Sequence, residues 1–213
     1  PSNTPHTAPP PVLHNQQVTF GSFNKPEKLN REVIELWARL LSSIPGSRLL
    51  LKYQNFFSDD AMKTLWKGKF KEHGLSIDRI SLLSRDDQQA DHLALYSQID
   101  ICLDPFPFNG ATATFEALLM GVPVVALEGK HFVDRVSTTL LKQANLSQFV
   151  AKTTDDYLSI ARTLALNTKE LVNFRTKIRE NLIGSNLCNA PRYARQIEKA
   201  YQCMWRNRCE ETV

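Results

Sequence analysis

The stretch "DPFPFNGATATFEALLMGVPVV", residues 104–125, starts at the end of one apolar run and finishes inside another, with Gly110 and Gly121 on either side of a helically spaced segment. Read locally, "PFPFNG" is a rigid crossing loop, "ATATFEALLMG" a helix whose first turn is made of small residues, and "VPVV" the entry into a buried strand. A strand followed by a tight turn and a helix start is a natural anion site, because the first N–H groups of a helix have no partner inside it. Asn109 and Gly110 would supply the turn, and the N–H groups of Ala111, Thr112 and Ala113, with the Thr112 hydroxyl beside them, would form the cradle. Glu116 lies one turn further on, where a carboxylate can accept hydrogen bonds from sugar hydroxyls next to a phosphate held at the helix start. The plainer alternatives are helix capping by Asn109 and Thr112, and a solvent-facing position for Glu116.

Outward from this stretch, short apolar runs alternate with helical patterns. Residues 18–23, 47–52, 79–84, 99–104, 123–127 and, more weakly, 147–151 are rich in branched and aliphatic residues and too short for helices. Between them, "NREVIELWARLLSSI", "SDDAMKTLWKGKFKEHG", "QQADHLALYSQ", "TATFEALLMG" and "RVSTTLLKQAN" carry the 3.6-residue period, with Asn30 and Ser58 as N-caps and Gly74 and Gly121 as stops. Strict alternation of strand and helix predicts an α/β fold: a doubly wound, Rossmann-like parallel sheet covered by helices. Beyond residue 153 the pattern is helical only, and Tyr193, Ile197, Ala200, Tyr201 and Met204 share one stripe of the last helix. Residues 1–16 hold five of the eleven prolines and no Asp, Glu, Lys or Arg, which predicts an extended linker from a preceding lobe, with one domain over 17–213. The first residue is Pro1 rather than Met, so a fragment or a processed chain is expected.

Composition narrows the function classes. Of 213 residues 42% are hydrophobic and 23% charged, which is ordinary for a globular chain and argues against disordered, collagen-like or membrane classes. The formal charge of +4 comes from 26 basic and 22 acidic residues scattered along the chain, whereas nucleic-acid binding usually needs a concentrated basic face. Cys102, Cys188, Cys203 and Cys209 have neither CxxC nor Cys/His metal spacing and read as reduced structural thiols. With no apolar run near membrane-spanning length and no leader-like start, a cytoplasmic chain is expected, with neither nucleic acid nor membrane as a partner.

In open α/β sheets ligands bind outside the carboxyl ends of the strands, so the loops that follow strands are the places to search. After the first strand comes "GSFNKPEKLN", residues 21–30, where Asn24 tolerates unusual dihedrals and Lys25 and Lys28 set two ammonium groups beside a helix start. An ordinary solvated loop is the alternative. His92 heads a helix after a strand, where it would stack on or bond to a base or simply lie at the surface. Arg135 begins a helix after "PVVAL" and would pair with a phosphate or with Asp134. The absence of GxGxxG after the first strand, of GxxxxGK[ST] and of GxSxG leaves nicotinamide dehydrogenases, P-loop NTPases and serine hydrolases without support.

Together, "VTFGSFNKPEKLN", "VIELWARLLSSIPGSRLLLK", "DICLDPFPFNGATATFEALLMGVPVVALEGKHFVDRVSTTLL" and "YARQIEKAYQCMW" resemble the C-terminal catalytic half of the O-GlcNAc transferase family, over about Val18 to Trp205. These are two-lobed GT-B glycosyltransferases, often fused to tetratricopeptide repeats. The resemblance implies the donor-binding lobe of an enzyme that moves a sugar from UDP-GlcNAc to a protein Ser or Thr hydroxyl. No cofactor or metal is implied, the preceding lobe and repeats would bind the protein or peptide acceptor, and this half alone would be inactive. It further implies that Lys28 contacts the diphosphate and helps stabilise the leaving group, that Lys25 stands at a phosphate-contacting position, and that Thr112 binds the diphosphate. Glu116 would hold the ribose hydroxyls and His92 would border the uracil pocket. Two departures stand out: "NGATA" puts Ala111 and Ala113 where the family commonly reads NGHTT or NGGTT, and "SRDDQQADH" brings Asp86 and Asp87 toward the nucleotide. A non-catalytic nucleotide-sugar-binding or interaction module, and a GT-B enzyme with another nucleotide sugar, are the alternatives.

Overall fold

The computed structural model describes residues 4–84 and 92–210. Six strands, β1 (Thr19–Ser22), β2 (Arg48–Lys52), β3 (Ile80–Leu83), β4 (Ile101–Leu103), β5 (Val124–Leu127) and β6 (Val150–Ala151), form one sheet in the order β3-β2-β1-β4-β5-β6. Every pairing is parallel, with Phe20 of β1 opposite Leu49 and Ile101, and Cys102 of β4 opposite Val124. Each of the six apolar runs contains a strand, because a covered parallel sheet needs near-continuous aliphatic sequence, although in the weakest run residues 147–149 form a 3-10 turn and only Val150–Ala151 is strand.

Among the described residues eight α-helices accompany the sheet: α1 (Val12–Asn15), α2 (Arg31–Ser42), α3 (Asp60–Lys71), α4 (Thr112–Leu119), α5 (Val136–Gln143), α6 (Thr154–Leu166), α7 (Thr168–Ile183) and α8 (Ala190–Glu210). Strand order runs outward from β1 in one direction and from β4 in the other. Right-handed crossovers therefore put α2 and α3 on one face and α4 and α5 on the opposite one. In keeping with this, α2 packs against α3 and α6, and α4 against α5 and α7. Between these layers Phe20, Trp37, Leu49, Leu51, Phe149 and Tyr157 are fully buried, and the Trp37 indole donates to the Tyr157 hydroxyl (3.2 Å).

The termini of these elements largely follow the residues expected to set them. The Asn30 side chain accepts from Val33 N (2.9 Å) and caps α2, and Gly74 and Gly121 take positive φ after α3 and α4. The cap of α3 is Asp59, accepting from the N–H groups of Ala61 and Met62, and not Ser58, whose hydroxyl turns back to the Asn55 carbonyl. A carboxylate one residue nearer the helix satisfies two orphan donors at once and complements the helix dipole, which a hydroxyl cannot match. Of the pattern at 88–98, residues 94–98 form a 3-10 helix, His92 and Leu93 form a turn before it, and 88–91 lie outside the described residues.

The segment before β1 is tied to the domain at several points, and its residues 12–15 form a helical turn rather than extended chain. Asp100 accepts from the N–H groups of Val12 (3.0 Å) and Thr19 (2.8 Å). Buried Arg175 of α7 donates to the carbonyls of Ala8 (2.7 Å), Ile99 (2.6 Å) and Tyr96 (3.2 Å), and Arg179 donates to Pro5 O (2.7 Å). At the other end, α8 buries no residue, and Tyr193, Tyr201, Met204 and Trp205 along it are exposed, Trp205 to 71%.

Candidate donor site at the switch point

The strand order reverses between β1 and β4, so the loops leaving their carboxyl ends border one crevice. Asp104 follows β4 directly and is only 1% exposed. Its Oδ1 accepts from Gly110 N (2.9 Å) and from the Thr114 hydroxyl (3.1 Å), which also meets the Ser137 hydroxyl of α5 (2.8 Å). Ser137 donates in turn to Gly110 O (3.1 Å), so the Gly110 peptide is gripped through both its polar groups. Burial pushes the Asp104 carboxyl up to about 7, against the opposing pull of these hydrogen bonds and of Lys28.

This grip changes the reason for Gly110. Its φ is not positive, so no left-handed turn requires a glycine there. A Cβ would instead meet Thr114 Oγ1 at 2.5 Å, Asp104 Oδ1 at 2.6 Å and Asn24 Oδ1 at 3.2 Å. At Gly121, by contrast, φ is +75°.

Neither Asn109 nor Thr112 caps α4. Asn109 donates its side-chain amide to Pro105 O (3.2 Å), and the N-cap position is Ala111, with no side-chain hydrogen bond to the helix. The first-turn N–H groups of α4, at Thr112 and Ala113, therefore have no capping side chain, and Ala111 and Thr112 are exposed. Among the described residues, Asp104 Oδ2 and Asn109 Oδ1 are buried without a hydrogen-bond partner beside this helix start.

From the other side of the crevice, Lys28 ends the 3-10 turn Pro26–Lys28 and donates its ammonium to Asn109 O (2.7 Å), 4.3 Å from the centre of the Phe108 ring. Burial lowers its pKa and the charge of Asp104 works against that shift. Asn24 is buried, donates to Ser22 Oγ (3.2 Å) and lies against Gly110. Asn24, Lys28, Asn109 and Gly110 are thus gathered around the start of α4. Lys25 is not among them: it is exposed and pairs with Glu27 at 3.5 Å. Arg135 is exposed at the N-terminal end of α5 and makes no ion pair with Asp134, whose carboxylate accepts instead from the N–H groups of Lys130 and His131.

On the far side of α4 lies a second polar group. Glu116 Oε2 is 3.1 Å from His92 Nε2 and 3.3 Å from the Tyr96 hydroxyl, which also reaches Ala113 O (3.1 Å). His92 Nδ1 is 2.8 Å from Lys52 Nζ, and the Phe23 ring packs against both His92 and Tyr96. Glu116 is thus half-turned into the protein and held by named partners, rather than facing solvent. The acidic pair Asp86 and Asp87 lies outside the described residues.

The sequence reading missed Asp104, Lys52, Tyr96 and Ser137. The first two share a signal that was visible: each is a charged residue that closes an apolar run, "IDICLD" and "RLLLK". Among the described residues no group of three or more His, Cys, Asp or Glu could hold a metal ion, and no helix is long and apolar enough to cross a membrane.

A six-stranded parallel sheet of this order, with an uncapped helix start and a cation beside its switch point, defines a doubly wound, Rossmann-like α/β lobe. The chain belongs to glycosyl transferase family 41, whose model matches residues 10–197. It is 38% identical over 202 residues to a barley (Hordeum vulgare) protein named probable UDP-N-acetylglucosamine-peptide N-acetylglucosaminyltransferase SPINDLY, covering 95% of this chain and 21% of that protein. It is 27% identical over 194 residues to the UDP-N-acetylglucosamine-peptide N-acetylglucosaminyltransferase of Caenorhabditis elegans, covering 91% of this chain and 16% of that protein. The chain therefore spans about a fifth of the length of such relatives. Among solved structures, a mutant of the O-GlcNAc transferase of Thermobaculum terrenum superposes with a TM-score of 0.90 at 32% identity, over 100% of this chain and 40% of that one. A sucrose-phosphate synthase from Thermosynechococcus elongatus shares the fold, with a TM-score of 0.61 at 16% identity over 94% of this chain and 50% of that one.

Proposed function

We propose that this chain is the donor-binding half of a glycosyltransferase that moves a sugar, GlcNAc from UDP-GlcNAc, to a Ser or Thr hydroxyl of a protein or peptide. One observation carries the reading: the uncapped start of α4 and the Lys28 ammonium face the same crevice at the switch point. In the reaction the acceptor oxygen attacks the anomeric carbon, the bond from that carbon to the β-phosphate oxygen breaks, and the acceptor proton leaves to a base. Negative charge develops on the departing diphosphate, where Lys28 and the N–H groups of Thr112 and Ala113 stabilise it without reorganising. Asn24 and Asn109 shape the wall beneath, and Glu116 accepts hydrogen bonds from the ribose hydroxyls with His92 at the edge of the base pocket. Neither a metal ion nor a cofactor has a part in this scheme.

In this reading Lys25 and Arg135 serve the donor only if it draws their exposed side chains inward. Residues 1–16 enter from a preceding lobe that, with repeats, supplies the acceptor site, and 17–213 form the donor lobe of a cytoplasmic enzyme. The names of the relatives support UDP-GlcNAc as donor and a peptide as acceptor. The test is a titration of the protein with UDP-GlcNAc, UDP-glucose and a GDP-sugar, followed by amide NMR shifts. Shifts at 110–116 with UDP-GlcNAc favoured are expected. Preference for another nucleotide sugar overturns the donor assignment, and no shift with any of them leaves a binding-dead interaction module as the better reading.

A further inference from the structure

A lysine at the end of an apolar strand is expensive to bury unless something receives its charge. Lys52, the last residue of β2, is 6% exposed. Its ammonium lies 2.8 Å from His92 Nδ1 and 5.8 Å from the centre of the Phe23 ring, and His92 Nε2 lies 3.1 Å from Glu116 Oε2. An ammonium only donates, so the ring nitrogen facing it must accept. That places the imidazole proton on Nε2, pointed at Glu116. The chain of bonds then has one direction, from the Lys52 ammonium through a neutral imidazole to a carboxylate. Tyr96 approaches the same Oε2 at 3.3 Å, whereas no donor among the described residues meets Oε1.

We infer that Lys52 is a positioning residue of the donor site: it fixes His92 as the Nε2–H tautomer, and His92 in turn pins Glu116 Oε2 so that Oε1 is presented to the hydroxyls of the donor. The inference rests on the donor reading above and deepens it. Lys52 acts through His92 and need not touch the nucleotide. Without it, the Nδ1–H tautomer becomes available. That tautomer would turn an acceptor nitrogen toward a carboxylate, so the ring or the carboxylate must move.

The experiment uses the whole protein containing this chain, labelled with 15N at histidine and assigned with a His92→Gln variant, at about pH 8, above the usual histidine range. In the unsubstituted protein the ring shifts should show the Nε2–H form; an Nδ1–H ring overturns the inference with no variant needed. Lys52→Met should give a mixed tautomer population and weaken UDP binding about tenfold, the scale of one hydrogen bond to a charged group. Lys52→Gln, which keeps a donor without the charge and covers the case in which Lys52→Met fails to fold, should retain the Nε2–H form. A Lys52→Met protein whose UDP affinity is unchanged, or whose tautomer is unchanged, overturns the role. The tautomer is read without nucleotide, so the two levels separate: an unsubstituted protein with the Nε2–H ring that binds no nucleotide sugar defeats the donor reading and, with it, Lys52 as a donor-site residue.

Discussion

Replacing Gly110 by Ala adds one methyl group at the most tightly enclosed point of the crevice. Its Cβ would lie 2.5 Å from Thr114 Oγ1 and 2.6 Å from Asp104 Oδ1, both well inside van der Waals contact, and 3.2 Å from Asn24 Oδ1, a tight approach. None of the three can swing aside cheaply: Asp104 holds Gly110 N and Thr114, Thr114 meets Ser137, and Asn24 is buried. Overpacking of this kind costs roughly 1–3 kcal/mol. For a domain of this size the loss lowers Tm by about 2–4 °C per kcal/mol. The strain also separates the start of α4 from Asp104, so UDP affinity should fall with stability. The matched control is Gly68, inside α3, where a Cβ meets nothing within 4 Å. Gly68→Ala should stabilise the protein by up to ~1 kcal/mol through helix propensity and a less flexible unfolded chain. Thermal denaturation of both variants, with a UDP titration of each, checks the pair. A Gly110→Ala protein that melts with the parent and binds UDP unchanged would refute the account of a gripped, space-limited peptide.

Lys28→Ala should lower turnover of the full-length enzyme about 10²–10³-fold, by analogy with loss of one oxyanion donor, with Tm nearly unchanged; full activity in a steady-state assay would sink the role. Because burial raises the Asp104 carboxyl from its ordinary 3.8 to about 7, the folded state holds that proton more tightly than the unfolded chain does. The resulting stabilisation is fully present below about pH 4 and is lost as pH rises through about 7. The stability difference between parent and Asp104→Asn should therefore shrink across that window, by on the order of a few kcal/mol, and parallel denaturation curves at all pH values would contradict it. Arg175→Leu leaves the buried carbonyls of Ile99 and Tyr96 and the half-buried carbonyl of Ala8 without this donor, removes the positive charge near Asp100, and should cost about 3–5 kcal/mol. A Tm within about 2 °C of the parent would show that the guanidinium is dispensable.

The sheet was legible because its central strands β1 and β4 are buried along their whole length and so write themselves as apolar runs, and because the helices between carry a different period. Lys28, Asn24, Asn109 and Gly110 were legible as well, since they sit in the two loops that leave neighbouring strands at the reversal of order. Lys25 has the same sequence credentials as Lys28, yet it is exposed and pairs with Glu27, because it stands before the 3-10 turn Pro26–Lys28 with an extended ψ of 126°, whereas Lys28 ends that turn and faces Asn109. Asp104 and Lys52 were hidden for a related reason. A charged residue that closes an apolar run normally marks the edge of the protein. Asp104 becomes interior because Gly110, Thr114 and the Tyr157 hydroxyl close over it, and Lys52 has His92 against its ammonium. Gly110 was found for the wrong cause: turn chemistry is local and can be read from sequence, whereas the carboxylate and hydroxyl that crowd it come from residues 104 and 114 folded back upon it.

Arg175 carries a mechanical consequence for the whole domain. One guanidinium is shared by Ala8 on the incoming segment and by Ile99 and Tyr96 on the path into β4. Tyr96 in turn touches Glu116 and the carbonyl of Ala113 on α4. The cation is therefore a common anchor for the chain's entry and for the floor of the crevice. Anything that tugs on residues 5–12 must either tear that anchor loose or load it, and the load is felt one bond away from α4.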